Sequence, residues 1–104
     1  MPERFVSPCG REVLVGRNAA DNCRLTNSAD RADVWLHARD ASGPHVVLEG
    51  PSPGDGALQF AARLALGARP GGYVTVADCG DVRSSPRGLA TVRNARTLRV
   101  ETLT

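Results

Sequence analysis

The sequence contains no lysine and few aromatic residues. All thirteen cationic side chains are arginine, and the aromatic ones are one Trp, one Tyr and two Phe. Arginine forms planar, bidentate contacts with phosphate and stacks on bases, which suits nucleic-acid contact. A GC-rich genome also replaces Lys codons by Arg codons, and the high Ala, Gly and Pro content favours that explanation. The arginine count alone therefore does not assign a function.

Long apolar runs are missing as well. None approaches the roughly 20 residues of a membrane-spanning helix. The N-terminus lacks a basic segment followed by an apolar one, so we expect no signal peptide. The three Cys residues (Cys9, Cys23 and Cys79) cannot all pair with one another and form no CxxC unit. We expect a single cytoplasmic domain over residues 1–104, without a membrane segment, whose cysteines remain thiols.

Positive charge is concentrated near the C-terminus. Residues 1–78 carry eight Arg and nine acidic residues, a net charge of −1, whereas residues 79–104 carry five Arg and two acidic residues, a net charge of +3. A local excess of this kind predicts a basic patch for a polyanion. The five C-terminal arginines are Arg83, Arg87, Arg93, Arg96 and Arg99.

Hydrophobic spacing predicts one short and one long helix. Asn18 is a good N-cap for a helix over Ala19–Leu25. The longer helix begins at Asp55 or Gly56 and ends at Gly67, with a buried stripe of apolar residues at helical spacing. The stripe comprises Leu58, Ala61, Ala62, Ala65 and Leu66.

The remaining elements read as strands, and the element order predicts an α+β fold. Strands and helices do not alternate strictly, so we expect a mostly antiparallel sheet with the two helices packed on it. A long polar loop is expected over Asp78–Gly88, followed by a terminal hairpin. The predicted strands are Phe5–Val6, Glu12–Val15, Asp33–Ala38, His45–Leu48, Tyr73–Ala77, Leu89–Val92 and Thr97–Thr102.

The strands Asp33–Ala38 and His45–Leu48 hold the single Trp and both His residues. Antiparallel pairing with His37 opposite His45 places Trp35 opposite Val47 and Asp33 opposite Glu49, all on one face. A hydrophobic core does not require two imidazoles and two carboxylates around a tryptophan. We therefore predict a binding surface on this face.

Three ordered blocks resemble the NFACT-R family, the RNA-binding domain of NFACT ribosome quality-control proteins. Val15-Gly16-Arg17-Asn18 with Asn22 and Leu25-Thr26 resembles the family pattern "GRN…N..LT". Asp33-Val34-Trp35-Leu36-His37-Ala38 resembles "D-x-W-L-H-A". Gly43-Pro44-His45-Val46-Val47 resembles "G-S-H-V", with Pro44 where Ser is usual. The resemblance extends over roughly residues 10–102, so nearly the whole chain is similar to one NFACT-R domain.

This resemblance implies a non-enzymatic module that needs no cofactor and binds tRNA or ribosomal RNA. Full-length relatives bind obstructed large ribosomal subunits and extend the nascent chain, but the matched blocks imply only the RNA-binding part. Single-domain members have been suggested to assist tRNA modification, which is the closer analogy. The implied partners are RNA and, beyond it, the ribosome or tRNA-modification enzymes. In the basic loop, Ser84-Ser85 replace the usual Lys and Pro, which weakens the expected grip on RNA.

Nine residues are the resulting RNA-binding candidates. Arg17 and Asn18 at a helix start suit a phosphate, and Arg83 and Arg87 suit a backbone-gripping loop. Trp35 stacks a base in one interpretation and packs under a helix in the other. The full set is Arg17, Asn18, Asn22, Asp33, Trp35, His37, His45, Arg83 and Arg87.

Two other classes of function compete with RNA binding. The chain could be a protein-interaction module that docks on a ribosomal or tRNA-modification partner. It could also be a small enzyme, with zinc held by His37, His45 and either Asp33 or Cys79, or with Cys79 and His37 as a nucleophile pair. No third zinc ligand and no oxyanion hole is evident in the sequence, so we expect neither a metal nor catalysis.

Overall fold

A computed structural model describes residues 2–87 and 89–102 of the chain. Within these residues, six strands form one sheet, two further strands form a separate hairpin, and two α-helices pack on the sheet. The α+β prediction is therefore confirmed. The strands are β1 Glu3–Val6, β2 Glu12–Val15, β3 Val34–Ala38, β4 Val46–Leu48, β5 Gly72–Asp78, β6 Val82–Ser84, β7 Ala90–Val92 and β8 Arg96–Val100, and the helices are α1 Ala19–Ser28 and α2 Asp55–Leu66.

The large sheet has the order β1-β2-β4-β3-β5-β8, and all its neighbouring strands are antiparallel. Strands β3 and β4 pair with Trp35 opposite Val47, so the predicted register is confirmed. Two positions further along the pair of strands, the rings of His37 and His45 lie 5.3 Å apart. The central strands thus bring both imidazoles to one face of the sheet.

Helix α2 covers the opposite face. Its alanines Ala61 and Ala62 are completely buried, because small side chains let the helix backbone approach the sheet closely. They pack with alternate residues of the central strands, such as Leu36 and Val76. The predicted stripe is confirmed, although Leu58 is only half-buried. Gly67 ends the helix with a φ of 65°, a conformation that glycine adopts without strain.

A second core lies on the tryptophan face, between the sheet, α1 and the β6–β7 hairpin. Trp35 and Val47 pack there against Leu25 of α1 and Val82 of β6. Trp35 is only 2% exposed. The interpretation in which Trp35 packs under a helix therefore agrees with the structure, and direct base stacking by Trp35 does not.

Two sequence predictions near the C-terminus were wrong. The expected polar loop over Asp78–Gly88 contains a turn of 3-10 helix, Cys79–Asp81, and strand β6, while Gly88 itself lies outside the described residues. Strand β7 pairs with β6 rather than with β8, and β8 joins the large sheet beside β5. Short polar strands gave no clear periodicity, so the long-range pairing of β8 was not visible in the sequence.

We predict that Trp35→Ala lowers the free energy of unfolding by about 3–5 kcal/mol, because it leaves a cavity in the second core. Trp35→Phe is the milder comparison. It keeps an aromatic ring and removes an indole N–H that has no hydrogen-bond partner in the described part of the chain. Urea denaturation of both variants measures the difference. A loss below about 1 kcal/mol for Trp35→Ala would contradict the burial of this side chain.

Candidate nucleic-acid interface

A cavity of about 1140 Å³ opens on the tryptophan face beside the start of α1. We call it the groove. Each of the three motif blocks contributes to its lining, and the β6–β7 hairpin supplies Arg87 and Leu89. Its lining includes Arg17, Asn22, His37, His45, Thr75 and Arg87.

The start of α1 forms one wall of the groove. The Asn18 side chain caps the helix by accepting a hydrogen bond from the Asp21 backbone N–H at 2.9 Å, as predicted. Asp21 in turn accepts hydrogen bonds from the backbone N–H and the Nε of Arg17, at 3.2 and 3.0 Å. The Arg17 side chain is 50% exposed, whereas the Asp21 side chain is 2% exposed. A buried carboxylate therefore fixes the direction of an exposed guanidinium.

Asp21 stabilises this wall of the groove through ion pairs with two arginines. The hydrogen bond from the Arg17 side chain lowers the pKa of this carboxyl below its usual value, so Asp21 is ionised at neutral pH. Arg24 adds a second ion pair at 3.5 Å. Sequence reasoning missed Asp21, although an acidic residue in the first turn of a helix was a usable signal.

Asn22 connects the helix to strand β4. Its Oδ1 accepts a hydrogen bond from the His45 backbone N–H at 3.0 Å, and the Gly16 backbone N–H donates to the His45 carbonyl at 3.0 Å. A Cβ on Gly16 would lie 1.9 Å from Asn22 Oδ1. Glycine is therefore required at position 16 because the Asn22 amide fills that space. Asn22 is buried and positions the site rather than presenting a contact surface.

The two imidazoles differ in exposure. His45 is 2% exposed, and its Nδ1 lies 2.9 Å from the Thr26 hydroxyl. His37 is half-buried and stacks on Trp35, with ring centroids 5.7 Å apart and an interplanar angle of 20°. His37 is thus the imidazole that faces the groove, while His45 forms part of its floor. Thr26, a second residue that sequence reasoning missed, lies beyond the predicted end of α1.

Burial lowers the pKa of His37 below its usual 6.5, and the positive charge of Arg69 acts in the same direction, against a raising contribution from the Gly43 backbone. His37 is therefore mainly neutral at neutral pH. A neutral imidazole offers one donor and one acceptor, the combination that reads base edges or hydroxyl groups.

Seven of the nine predicted residues line the groove: Arg17, Asn18, Asn22, Trp35, His37, His45 and Arg87. The structure does not place Asp33 and Arg83 with them. Asp33 accepts hydrogen bonds from the backbone N–H groups of Gly50 and Asp30 at 3.0 and 3.3 Å, so it ties two loops together at the start of β3. Arg83 is exposed on β6 and is not part of the groove lining.

The predicted basic patch is divided between faces of the molecule. In the β5–β8 ladder, Arg96 lies opposite Val76, a residue of the α2 core, whereas Arg99 lies opposite Tyr73. Alternation along a strand therefore sends Arg96 and Arg99 to opposite faces. Arginines that are close in the sequence therefore do not form one continuous patch. Of the five C-terminal arginines, Arg87 lines the groove.

The enzyme alternatives gain no geometric support. Burial raises the pKa of Cys79 to about 12, with added repulsion from Asp33 and Asp78, so its thiol is protonated at neutral pH. Cys79 packs in the second core with Leu25 and Val82. Among residues 2–87 and 89–102, no three His, Cys, Asp or Glu residues are grouped as a metal site. In the same residues, neither helix has the length and apolar character needed to cross a membrane.

Comparison with known proteins places this chain beside bacterial RqcH proteins. No protein-family model matches it. It is 39% identical over 64 residues to "Rqc2 homolog RqcH" of Bacillus subtilis (strain 168), which is 61% of this chain but 11% of that protein. It is also 39% identical over 67 residues to the RqcH of Streptococcus suis (strain 05ZYH33), covering 62% of this chain and 12% of that protein. The chain thus matches only a small part of these relatives, which are NFACT-family proteins.

A solved structure matches nearly the whole fold. It is the C-terminal part of the fibronectin/fibrinogen-binding protein of Streptococcus suis, with a TM-score of 0.89 and 30% sequence identity. The match covers 98% of this chain and 45% of the solved chain. The chain is therefore similar in sequence to a segment of RqcH and in structure to this streptococcal C-terminal region.

We predict that Gly16→Ala lowers the free energy of unfolding by at least about 2 kcal/mol, because the added methyl group displaces the Asn22 amide from His45. Gly56→Ala is the matched control. It lies in α2 with no heavy atom within 4 Å of an added Cβ, and it should be neutral or slightly stabilising. Equal effects of the two substitutions in urea denaturation would contradict the proposed link between α1 and β4.

The lowered pKa of His37 predicts a pH dependence of stability. The unfolded chain binds the His37 proton more tightly, so this contribution is complete above about pH 6.5 and is lost as the pH falls from there toward the folded pKa. His37→Gln should flatten the stability curve in this range, because glutamine does not titrate. Chemical denaturation between pH 7.5 and pH 5 compares the two proteins. Identical slopes would show that His37 is not desolvated in the folded state.

Proposed function

We propose that this chain is an RNA-binding module of the NFACT-R type that takes part in translation quality control. The similarity to RqcH supports a role related to this process. The three NFACT-R-like blocks, which are separate in sequence, meet at one groove, and this observation carries the proposal. The RNA is tRNA or ribosomal RNA, and the chain works in the cytoplasm in contact with the ribosome.

Phosphate groups are the first feature that the groove suits. Arg17 and Arg87 both line it, from the segment before α1 and from the loop of the β6–β7 hairpin, and both are exposed. Arg17 binds Asp21 through its Nε, and half of its side chain stays exposed to solvent. Guanidinium groups held in this way make charge-assisted hydrogen bonds to phosphate oxygens. Two such groups can hold successive phosphates of one strand.

Base edges and ribose hydroxyl groups are the second chemical feature that the groove is suited to bind. His37 lies in the groove with Thr75 opposite it on β5. Their ring nitrogens and hydroxyl provide both donors and acceptors, which is what unpaired nucleotides offer in return. We therefore propose that the groove binds an unpaired segment of a folded RNA. The chain acts as a binding module rather than an enzyme, needs no cofactor, and serves either ribosome quality control or tRNA modification.

A protein-interaction module is the second candidate, and the exposed Leu89 favours it. This side chain is 68% exposed at the edge of the groove. An isolated exposed leucine is common on protein surfaces, whereas the groove combines cations with imidazole. Affinity purification with and without ribonuclease separates the two candidates. Partners that remain after ribonuclease treatment support protein docking, and partners lost on treatment support RNA binding.

We predict that the purified chain binds tRNA and that binding weakens steeply as salt rises, because each neutralised phosphate releases counterions. Arg87→Ala and Arg17→Ala should each weaken binding about fivefold and lower the number of released counterions by about one. Fluorescence anisotropy at two salt concentrations measures both quantities. Melting temperatures check that Arg17→Ala has not unfolded the wall built on Asp21.

Arg96→Ala is the matched control for this experiment. It removes the same charge from the opposite face of the sheet and should leave tRNA affinity within about twofold of wild type, since exposed charges at a distance contribute little. Absent or salt-insensitive tRNA binding would refute the proposed function. An effect of Arg96→Ala equal to that of Arg87→Ala would refute the groove as the binding site.

A further inference from the structure

The sheet carries a second row of functional side chains next to the groove. The first row contains His37, Thr75 and Thr97, which lie opposite one another on β3, β5 and β8. Two residues further along, Tyr73 lies opposite Arg99, and the Arg39 backbone N–H donates to the Tyr73 carbonyl at 2.9 Å. Residues two apart on a strand share a face and are separated by about 7 Å. Arg39, Tyr73 and Arg99 therefore extend the groove face.

Tyr73 is a large aromatic side chain that remains exposed on this face. It is the single tyrosine of the chain and is 52% exposed. The Arg39 guanidinium carbon lies 5.7 Å from the centre of its ring. A cation at this distance is attracted to the ring face and holds the ring in place. The result is an oriented aromatic surface between two arginines.

A second cavity of about 400 Å³ lies beside this row. Arg39, Arg69 and Tyr73 line it, and Asp40 lines both cavities. Arg69 is near enough to His37 to help lower the pKa of that imidazole. The two cavities are therefore neighbours, and we expect a single RNA strand to reach both.

The arginines around Tyr73 are suited to binding phosphate groups. Arg39 pairs with Asp40 at 3.4 Å and Arg99 pairs with Glu101 at 3.6 Å, but all four side chains are more than half exposed. Exposed pairs of this kind contribute little free energy, so a phosphate can replace the carboxylate. Arg69 forms no ion pair within the described part of the chain, which leaves its guanidinium for a ligand.

We propose that Tyr73 is a stacking site for an unpaired base of the bound RNA, with Arg69 and Arg39 holding the adjoining phosphates. This inference rests on the proposed function and names the chemical feature that the module selects. Base stacking on an aromatic ring tolerates any base, because every base has a π-face. The module accordingly binds RNA that has an unpaired segment and discriminates against continuous duplex.

The test measures the affinity of wild-type protein and variants for three probes: a twelve-nucleotide single-stranded RNA, the same sequence as a duplex, and tRNA. Tyr73→Ala should weaken binding of the single strand and of tRNA about tenfold and leave the weaker duplex binding within about twofold. Tyr73→Phe is the matched control and should behave like wild type, because it keeps the ring. Arg69→Ala should weaken binding of all three probes, since phosphates are common to them.

The outcomes separate this inference from the proposed function. If wild type binds none of the probes, the proposed function fails. If wild type binds tRNA but Tyr73→Ala matches it on every probe, or if duplex binding falls equally, the stacking site is refuted and RNA binding stands. Tyr73 is exposed, so a melting temperature close to that of wild type is expected for both variants and confirms that the losses arise at the site.

Discussion

The site depends on the two hydrogen bonds that His45 makes through its backbone. Its N–H donates to the Asn22 side chain and its carbonyl accepts from Gly16, so the residue just before β4 is fastened both to α1 and to the residue just after β2. These bonds set the distance between the Arg17 wall and the histidine row. They also explain the pairing of a glycine with an asparagine six residues later, because the asparagine amide fills the space that any larger side chain at position 16 would need.

The two faces of the sheet differ in their role. The α2 face is sealed by alanines and branched aliphatic residues and serves stability. The other face is sealed only where α1 and the β6–β7 hairpin cover Trp35, and it stays open along the rows that contain His37 and Tyr73. A tryptophan under one end of this face gives it a rigid base. The polar side chains beyond it are therefore held in place by strands rather than by loops, which suits recognition of a flexible ligand.

Much of this arrangement could be predicted from the sequence, and the failures have physical causes. The β3–β4 register followed from strict alternation around Trp35, and both helices followed from caps and spacing at Asn18 and Gly67. Asp33 and Arg83 do not line the groove, which the motifs could not reveal because a motif gives the order of residues and not the direction of a side chain. The basic patch was misjudged because β8 is an edge strand that sends successive arginines to opposite faces. Asp21 and Tyr73 are not among the matching residues, and Thr26 matched without indicating a contact with His45, so only the folded arrangement reveals their roles.

The central claim is that RNA binds on the open part of the tryptophan face. The most direct test is a map of backbone amide chemical shifts during titration of the labelled protein with tRNA. Binding at this surface should change the shifts of Gly16, His45 and Thr75 and of the row of Tyr73, and should leave the amides of α2 unchanged. Changes confined to the α2 face, or none at saturating tRNA, would contradict it.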